Sequence, residues 1–260
     1  MKILFVSAGK KDGKPGNVVL NQADALIKHG THVIFFITKG SGVFGYLKSI
    51  LPLIQEIKRQ NPEVVHAHYS LSGFIAGIAT RKPVVVSLMG SEMSSPIVIK
   101  WIIRFFYSFL WDKVIVKTPE MRTRLKLAGA EVIPNGVDIE RFHPMDKILA
   151  RESLGYSIDE KKILFLADPK RSEKNYSLAK KSVDLLNGQA KLNVIYNIPP
   201  DMVCWHINSS DVVLLTSFWE GSPNIIKEAM ACNAKIVSTD VGDVKQNILD
   251  LQGCYIASFE

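Results

Sequence analysis

Short apolar runs rich in valine and isoleucine alternate with helical patterns along this chain, and this alternation most constrains its fold. Continuous apolar runs of this kind are typical of parallel strands buried on both faces. Strands that alternate with helices predict an open, doubly wound sheet. The predicted strands are residues 2–8, 32–38, 63–68, 83–88, 113–118 and 131–134 in the first half, and residues 161–167, 191–197, 211–217, 234–240 and 253–257 in the second.

The alternation occurs twice, which predicts two domains. Turn signals at Pro134, Asn135, Gly136 and Pro144 separate the two halves, and we place the boundary near residue 145. At 260 residues and 47% hydrophobic, the chain can bury one large core or two modest ones. The predicted helices are residues 17–29, 43–60, 70–80, 95–111, 119–128, 147–154, 175–187, 199–208, 223–232 and 243–250.

Positive charge is concentrated in the first half. Residues 1–145 hold 19 Lys and Arg against 10 Asp and Glu, a net charge of +9, whereas residues 146–260 have a net charge of −2. Such asymmetry indicates an anionic partner for the first half. There is no zinc-finger spacing or RNA-recognition signature, so we expect an anionic membrane surface and no nucleic acid.

The segment at residues 97–111, IVIKWIIRFFYSFLW, is apolar nearly all round and is interrupted by Lys100 and Arg104. A helix of this kind is either buried in a core or lies on a bilayer surface. The chain has no run of 18 apolar residues, so a membrane-spanning helix is not predicted. The three cysteines lack metal-ligand spacing and are interpreted as reduced thiols. We therefore expect a cytoplasmic protein, or a peripheral one on the inner face of the plasma membrane.

Residues 217–233, SFWEGSPNIIKEAMACN, carry the clearest chemistry. Glu220 and Glu228 stand eight residues apart, and the segment continues a buried strand through a glycine turn into a helix. The free amides at a helix N-terminus bind phosphate or hydroxyl groups. One carboxylate can then face a sugar while the other accepts hydrogen bonds from ribose. Two ordinary glutamates on a solvated helix are the alternative interpretation.

This segment resembles the donor-site signature of family 4 of the retaining glycosyltransferases. Three further motifs resemble the same family in the same order: VVHAHYSLSG at 64–73, PVVVSLMGSE at 83–92 and EVIPNGVDIERFHP at 131–144. The resemblance implies the GT-B fold, in which two Rossmann-like domains face each other across a cleft. Residues 1–145 would form the acceptor-side domain and residues 146–260 the nucleotide-sugar donor domain.

The resemblance also implies an activity, namely retaining hexosyl transfer from a UDP- or GDP-sugar to a glycan or lipid-linked acceptor in cell-surface polysaccharide synthesis. A non-catalytic partner subunit that binds nucleotide-sugar or membrane is one alternative, and an epimerase is another. Family members usually continue for several helices beyond the point where this chain ends. We therefore expect either a short member or a truncated, incomplete donor domain.

Roles for individual residues follow from the resemblance. Lys174, with Arg171 as a looser match, would neutralise the donor diphosphate, and Glu220 would contact the sugar. Glu228 would bind the ribose. The family needs no cofactor beyond the donor substrate, and no DxD-type dyad stands at a strand end, so no metal is expected. The turn residues expected to contact the donor phosphates are Gly221, Ser222, Pro223 and Asn224.

In the first half, Gly16, His68, Gly90 and Glu92 are predicted to line the ligand site. His66 and His68 alternate on a strand and therefore share one face, and His68 is expected to face the ligand. Met89 departs from the family, which usually has histidine directly before this glycine, near the reacting sugar. Because Met89 neither titrates nor donates a hydrogen bond, it favours the partner-subunit alternative.

Overall fold

A computed structural model of the protein describes residues 1–9, 13–38 and 42–258, apart from the side chain of Val43. These residues divide into two compact units, Met1–Asn135 and Gly136–Glu260. The predicted boundary near residue 145 lies further along the chain. The structure divides earlier because Phe142 and Met145 pack into the hydrophobic core of the second unit, and the Met145 N–H donates to Asn208 Oδ1 at 2.8 Å.

The first unit contains a six-stranded parallel sheet with strand order β2-β1-β3-β4-β5-β6. Its strands are β1 (Lys2–Ala8), β2 (His32–Thr38), β3 (Val64–His68), β4 (Val84–Ser87), β5 (Lys113–Val116) and β6 (Glu131–Val132). Its α-helices are α1 (Asn17–Lys28), α2 (Gly42–Lys48), α3 (Ile50–Gln60), α4 (Ser70–Ala79), α5 (Ile97–Phe109) and α6 (Pro119–Leu125).

Alternate residues of β1 face two different helix layers, as the pleat of a strand requires. Phe5 packs with Val19 of α1 on one face of the sheet. Leu4 packs on the other face, in a core to which helices α3 to α6 all contribute. Helices therefore pack on both faces of the sheet, and in sheets of this kind ligands bind at the carboxyl ends of the strands.

The second unit contains a five-stranded parallel sheet with strand order β11-β10-β9-β7-β8. Its strands are β7 (Lys162–Leu166), β8 (Lys191–Ile195), β9 (Val212–Leu215), β10 (Ile236–Thr239) and β11 (Cys254–Ala257). Its α-helices are α7 (Lys147–Ser153), α8 (Tyr176–Asp184), α9 (Pro200–Ser209), α10 (Asn224–Ala231) and α11 (Val244–Ile248). The two units thus confirm the prediction of two Rossmann-like, doubly wound domains.

In each sheet the direction of strand succession reverses once. In the first unit β2 lies on one side of β1 and β3 on the other, and in the second unit β8 and β9 flank β7 in the same way. Where the order reverses, the loops after the two neighbouring strands leave in opposite directions and open a crevice at their carboxyl ends. Each unit therefore has one such crevice, between β1 and β3 and between β7 and β9.

One predicted helix is divided in the structure. Residues 43–60 form α2 and α3, separated at Ser49. Pro52 explains the break, because it has no N–H to donate to the carbonyl of Lys48 and its ring would clash there in a continuous helix. The Ser49 hydroxyl instead donates to the Gly45 carbonyl at 2.8 Å. None of the helices that the structure describes is both long and apolar enough to cross a bilayer.

Candidate functional site

An ion pair lies at the crevice of the second unit. Lys174 is in the loop that follows β7, and its Nζ contacts Oε1 of Glu220, in the loop that follows β9. The two side chains are only 13% and 16% exposed. The Ser217 hydroxyl donates to the same Glu220 oxygen at 2.8 Å. Two residues predicted from separate motifs are therefore brought into direct contact.

Hydrogen bonds to backbone carbonyl groups hold the two loops together next to this pair. The Thr216 hydroxyl lies 3.0 Å from the carbonyl oxygens of both Lys174 and Asn175. The Phe218 N–H donates to the Glu173 carbonyl at 2.9 Å. These contacts position Lys174 and Glu220 before any ligand is present, as electrostatic preorganisation requires.

A third loop, after β10, packs against the glycine turn. Gly242 has φ of 58°, and a Cβ atom there would lie 2.2 Å from the Gly221 carbonyl oxygen. The Ser222 hydroxyl donates to Asp243 Oδ2 at 2.6 Å, and Lys227 of α10 pairs with the same carboxylate at 3.3 Å. The other oxygen, Asp243 Oδ1, is buried and has no hydrogen-bond partner among the described residues. This oxygen is a candidate acceptor for a ligand hydroxyl.

Sequence reasoning did not identify Lys227, Gly242 or Asp243 as part of this site. The signal that could have identified them is the strand order, because β10 is the neighbour of β9 and both strands end at the same edge of the sheet. The Thr239 hydroxyl at the end of β10 donates to the Ser217 carbonyl at 2.8 Å, which joins the two loops.

Glu228 lies in α10, the helix that follows the glycine turn. Burial raises the pKa of its carboxyl group to about 7, against the opposing effect of the positive charge on Arg141. The helix begins at Asn224 with Pro223 as its N-cap, and no side chain caps it. A carboxylate desolvated in this way is strengthened as a hydrogen-bond acceptor for hydroxyl groups. Its role in ribose binding stays a prediction.

Arg171 lies in the same loop as Lys174 but has a different partner. Its Nε donates to Glu173 Oε1 at 2.7 Å, and its side chain is 56% exposed. The proposed contact between Arg171 and a diphosphate therefore stays a prediction. No group of three His, Cys, Asp or Glu side chains in the described parts of the chain is arranged to hold a metal ion.

A cavity of about 760 Å³ occupies the crevice of the first unit. Gly16, at the start of α1, is part of its wall, and its contact with a ligand stays a prediction. Ser7 also lines it, and its buried hydroxyl has no partner among the described residues. The lining residues are Ser7, Ala8, Gly9, Gly16, Asn17, Val18, Val19, Tyr46, Tyr69, Ser70, Leu71, Ser91, Ser95 and Ile99.

Glu92 lies behind this cavity and does not line it. Its carboxylate is 1% exposed and accepts hydrogen bonds from the backbone N–H groups of Ser70, Met89 and Gly90 at 3.0–3.1 Å. Burial raises the pKa of Glu92, against the effect of these donors. Gly90 has φ of 117°, which only glycine adopts readily, so it is needed for the turn. Both residues therefore shape the loops that form the wall.

The structure places His68 inside the protein, although its neighbours Tyr69 and Ser70 line the cavity. His66 and His68 do share one face, as the strand period predicts, but α1 covers that face. The His68 Nε2 lies 2.9 Å from Gln22 Oε1 of α1, and its ring stacks on His66. Burial lowers the pKa of His66 to about 4 and that of His68 well below its ordinary value. Burial therefore favours the neutral form of both rings.

Comparison with solved structures defines the class of protein. The structure matches Anabaena HepE in complex with UDP and glucose with a TM-score of 0.79 at 17% sequence identity, covering 99% of this chain and 86% of that chain. It matches sucrose-phosphate synthase from Thermosynechococcus elongatus with a TM-score of 0.78 at 15% identity, with the same coverage. The fold is therefore that of the two-domain GT-B proteins, as predicted.

Family models identify the chain more closely. The model of Glycosyltransferase Family 4 matches residues 15–141, and that of Glycosyl transferases group 1 matches residues 161–258. The chain belongs to the GT4-type glycosyltransferases, and the prediction made from its four motifs is confirmed.

Two curated relatives are each 25% identical to the chain. One is TuaC of Bacillus subtilis, whose name attributes it to teichuronic acid biosynthesis; the match covers 70% of this chain and 54% of that protein. The other is the Escherichia coli UDP-Gal:alpha-D-GlcNAc-diphosphoundecaprenol alpha-1,3-galactosyltransferase, where the match covers 75% of this chain and 62% of that protein. The chain thus spans between about half and two thirds of the length of these relatives.

Proposed function

We propose that the protein transfers a sugar from a UDP-sugar to a glycan or lipid-linked acceptor in cell-surface polysaccharide synthesis, with retention of the anomeric configuration. The observation that carries this proposal is the Lys174–Glu220 pair at the crevice of the second unit, with Glu228 on the following helix. The names of the two curated relatives and the UDP in the HepE complex support the choice of donor and acceptor class.

The charges at this crevice suit a donor diphosphate. As the bond between sugar and diphosphate breaks, negative charge develops on the leaving phosphate, and a fixed cation stabilises it. Lys174 is such a cation, held by its loop contacts and shielded from water. When a diphosphate attracts Lys174, Glu220 is released to accept hydrogen bonds from sugar hydroxyls. The partly buried Glu228 would accept hydrogen bonds from the ribose in the same way.

We also propose that transfer requires no resident metal or cofactor, since Lys174 and the amides at the start of α10 can neutralise the leaving group. Incubation of the enzyme with a chelator tests this directly. The rate should be unchanged in chelator, and a loss that added Mg²⁺ or Mn²⁺ restores would contradict the proposal.

The decisive experiment incubates the purified protein with radiolabelled UDP-glucose, UDP-galactose, UDP-N-acetylglucosamine and GDP-mannose, each with a bacterial membrane extract as acceptor. Label should enter the glycan or lipid fraction from one UDP-sugar, and NMR of the product should show the donor's anomeric configuration. Lys174→Met should lower the rate by about 10²- to 10³-fold. Lys180→Met is the matched control, because Lys180 lies on α8 in an exposed pair with Asp184.

One observation favours a second candidate, a nucleotide-sugar-binding partner subunit that performs no transfer. Met89 stands at the turn after β4, where its side chain supplies neither a proton nor a hydrogen bond. Saturable binding of a UDP-sugar without incorporation or hydrolysis would support this candidate. Conversion of the sugar to its epimer would identify an epimerase, and failure to bind any nucleotide-sugar would refute all three alternatives.

A further inference from the structure

Helix α5 has two apolar faces, of which only one is used in the fold. Ile99, Ile103 and Phe106 face the core of the first unit. The opposite face carries Ile97, Trp101, Phe105 and Phe109, spaced four residues apart and 62%, 64%, 56% and 73% exposed. We call these four residues the α5 stripe. A soluble surface rarely exposes a contiguous row of large apolar side chains unless the row binds something.

A second exposed row lies on α2 and α3. Phe44, Leu47 and Leu51 are 79%, 52% and 72% exposed, at spacings of three and four residues. We call them the α2–α3 stripe. Neighbouring residues Tyr46 and Ile50 turn inward and pack against the core. The same helices thus bury one set of apolar side chains and expose another, as α5 does.

The two stripes flank the cavity of the first unit. Tyr46 of α2 and Ile99 of α5 both belong to its wall. Helix α4 lies between them, packing against α2 and α3 on one side and α5 on the other. Helices α3, α4 and α5 share one core and so lie on the same face of the sheet. The helices that carry the two stripes therefore both contribute to the wall of the cavity.

Positive charge predominates around this surface, although α3 also carries Glu56, which pairs with Arg59. Residues 42–55 and 93–111 contain no Asp or Glu, and their cations are Lys48, Lys100 and Arg104. On the helix, Lys100 and Arg104 lie at one border of the α5 stripe, and the Arg104 guanidinium stands 5.5 Å from the centre of the Trp101 ring. Residues 1–135 as a whole hold 18 Lys and Arg against 8 Asp and Glu. Aromatic side chains bordered by cations are the composition of interfacial helices on anionic lipid.

We propose that the first unit docks on an anionic phospholipid bilayer through the α5 stripe and the α2–α3 stripe. The aromatic side chains of α5 insert into the boundary between headgroups and acyl chains, and Lys100 and Arg104 contact lipid phosphates. Docking in this way brings the entrance of the cavity to the membrane surface. A lipid-linked acceptor would then reach the cavity without leaving the bilayer. This consequence rests on the proposed function.

The test is co-sedimentation with vesicles in the absence of donor and acceptor. Vesicles of equal phosphatidylglycerol and phosphatidylcholine should retain the wild type at low salt, and pure phosphatidylcholine should retain much less. The double variant Trp101→Glu and Phe105→Glu should lose about tenfold or more in partitioning. The matched control is Leu185→Glu, since Leu185 is an exposed leucine of the second unit, 80% exposed, and its change should have no effect.

A conservative variant, Trp101→Phe, tests insertion of the α5 stripe into the bilayer while keeping the stripe apolar. Brominated lipids should quench the tryptophan fluorescence of the wild type on vesicles, and Trp101→Phe should remove most of that quenching while retaining vesicle binding. Equal partitioning of the double variant and Leu185→Glu would overturn the proposal. So would a wild-type dimer in sedimentation equilibrium that the double variant converts to monomer, because the surface would then join two copies of this chain.

Transfer to a short, water-soluble acceptor separates docking from catalysis. The double variant should retain wild-type rates with that acceptor and lose about tenfold or more only with a membrane-embedded one. If the wild type binds vesicles but performs no transfer, the proposed function fails and the docking surface stands.

Discussion

Lys174 and Glu220 form a largely buried ion pair between the loops after β7 and β9, the two neighbouring strands at which the strand order of the second unit reverses. Removal of one partner from a buried pair leaves the other charge without compensation. A donor diphosphate and a sugar hydroxyl can each replace one partner. The pair thus holds both charges in position while the site is empty.

This relationship predicts that Glu220→Gln separates nucleotide binding from transfer. UDP lacks the transferred sugar, so on this assignment it uses Lys174 and does not need Glu220. In the variant, no ion pair between Lys174 and residue 220 has to break when UDP binds. UDP should therefore bind at least as tightly as to the wild type. Transfer should fall by about 10²-fold because the sugar loses a charged acceptor. Calorimetry of UDP binding and initial rates measure the two effects, and a parallel loss of both would contradict the assignment of Glu220 to the sugar.

Gly242→Ala should disrupt the proposed donor site through the glycine turn. The new Cβ atom would lie 2.2 Å from the Gly221 carbonyl oxygen, so the loop after β10 must move. We expect UDP affinity to fall about tenfold or more, together with a stability loss of about 1–3 kcal/mol. Gly188→Ala is the control, since Gly188 has φ of 81° but open space around its Cβ position. Equal effects of the two variants on UDP affinity would show that the close approach has no role in binding.

Glu228 predicts a pH dependence of stability. Its folded pKa of about 7 lies above the ordinary value of 4.5, so the folded protein holds a proton that the unfolded chain releases between these pH values. The contribution of Glu228 to stability therefore falls as pH rises through this window. Glu228→Gln removes that effect and should gain stability relative to the wild type, by at most about 3 kcal/mol at pH 8 and little at pH 4.5.

Urea denaturation at pH 4.5, 6 and 8 measures this difference. Glu160→Gln is a control in which the change in stability should have the opposite sign, because hydrogen bonds from Lys162 and Lys191 lower the pKa of Glu160. That variant should lose stability relative to the wild type at pH 6 and pH 8, and the difference should shrink only at pH 4.5 and below, where Glu160 becomes protonated. A constant difference between Glu228→Gln and the wild type across the three pH values would show that Glu228 titrates normally.

Glu92→Ala should release three backbone N–H groups at once. Each buried donor left without an acceptor costs about 1–3 kcal/mol, partly offset because a desolvated carboxylate is removed. We expect a net loss of about 2–4 kcal/mol and a loss of hydrogen-exchange protection at Ser70, Met89 and Gly90. In Glu92→Gln the amide oxygen can take the place of Oε2 and keep Met89 and Gly90 protected, while Ser70 loses its acceptor. Unchanged protection at all three amides in Glu92→Ala would contradict this role.

The elements of the fold were predictable because they depend on local patterns. Valine- and isoleucine-rich runs located the strands, and the exception, the division between α2 and α3, follows from Pro52 acting within one helical turn. Strand order depends on contacts between residues far apart in the chain. Lys174 and Glu220 were each predicted from their own motif, but their contact requires β7 and β9 to be neighbours, which no local pattern shows.

The same distinction explains His68 and Asp243. The period of the strand placed His66 and His68 on one face, yet which face is covered depends on Gln22 and Phe5 in other elements. Asp243 follows β10, a strand that carries no motif, so its position in the site was not predictable without the strand order. The exposed face of α5 was also not predictable, because both faces of this helix are apolar and the sequence alone does not show which one packs against the core.

Glu92 has a consequence for redesign of the cavity wall in the first unit. Its carboxylate joins the loop after β3, through Ser70, to the loop after β4, through Met89 and Gly90. Because Glu92 bonds to both loops, replacing the sequence of either loop alone would leave backbone N–H groups without an acceptor behind the cavity. Exchange of residues 69–72 and 88–92 together keeps the hydrogen bonds between Glu92 and the two loops while changing the side chains of the cavity wall.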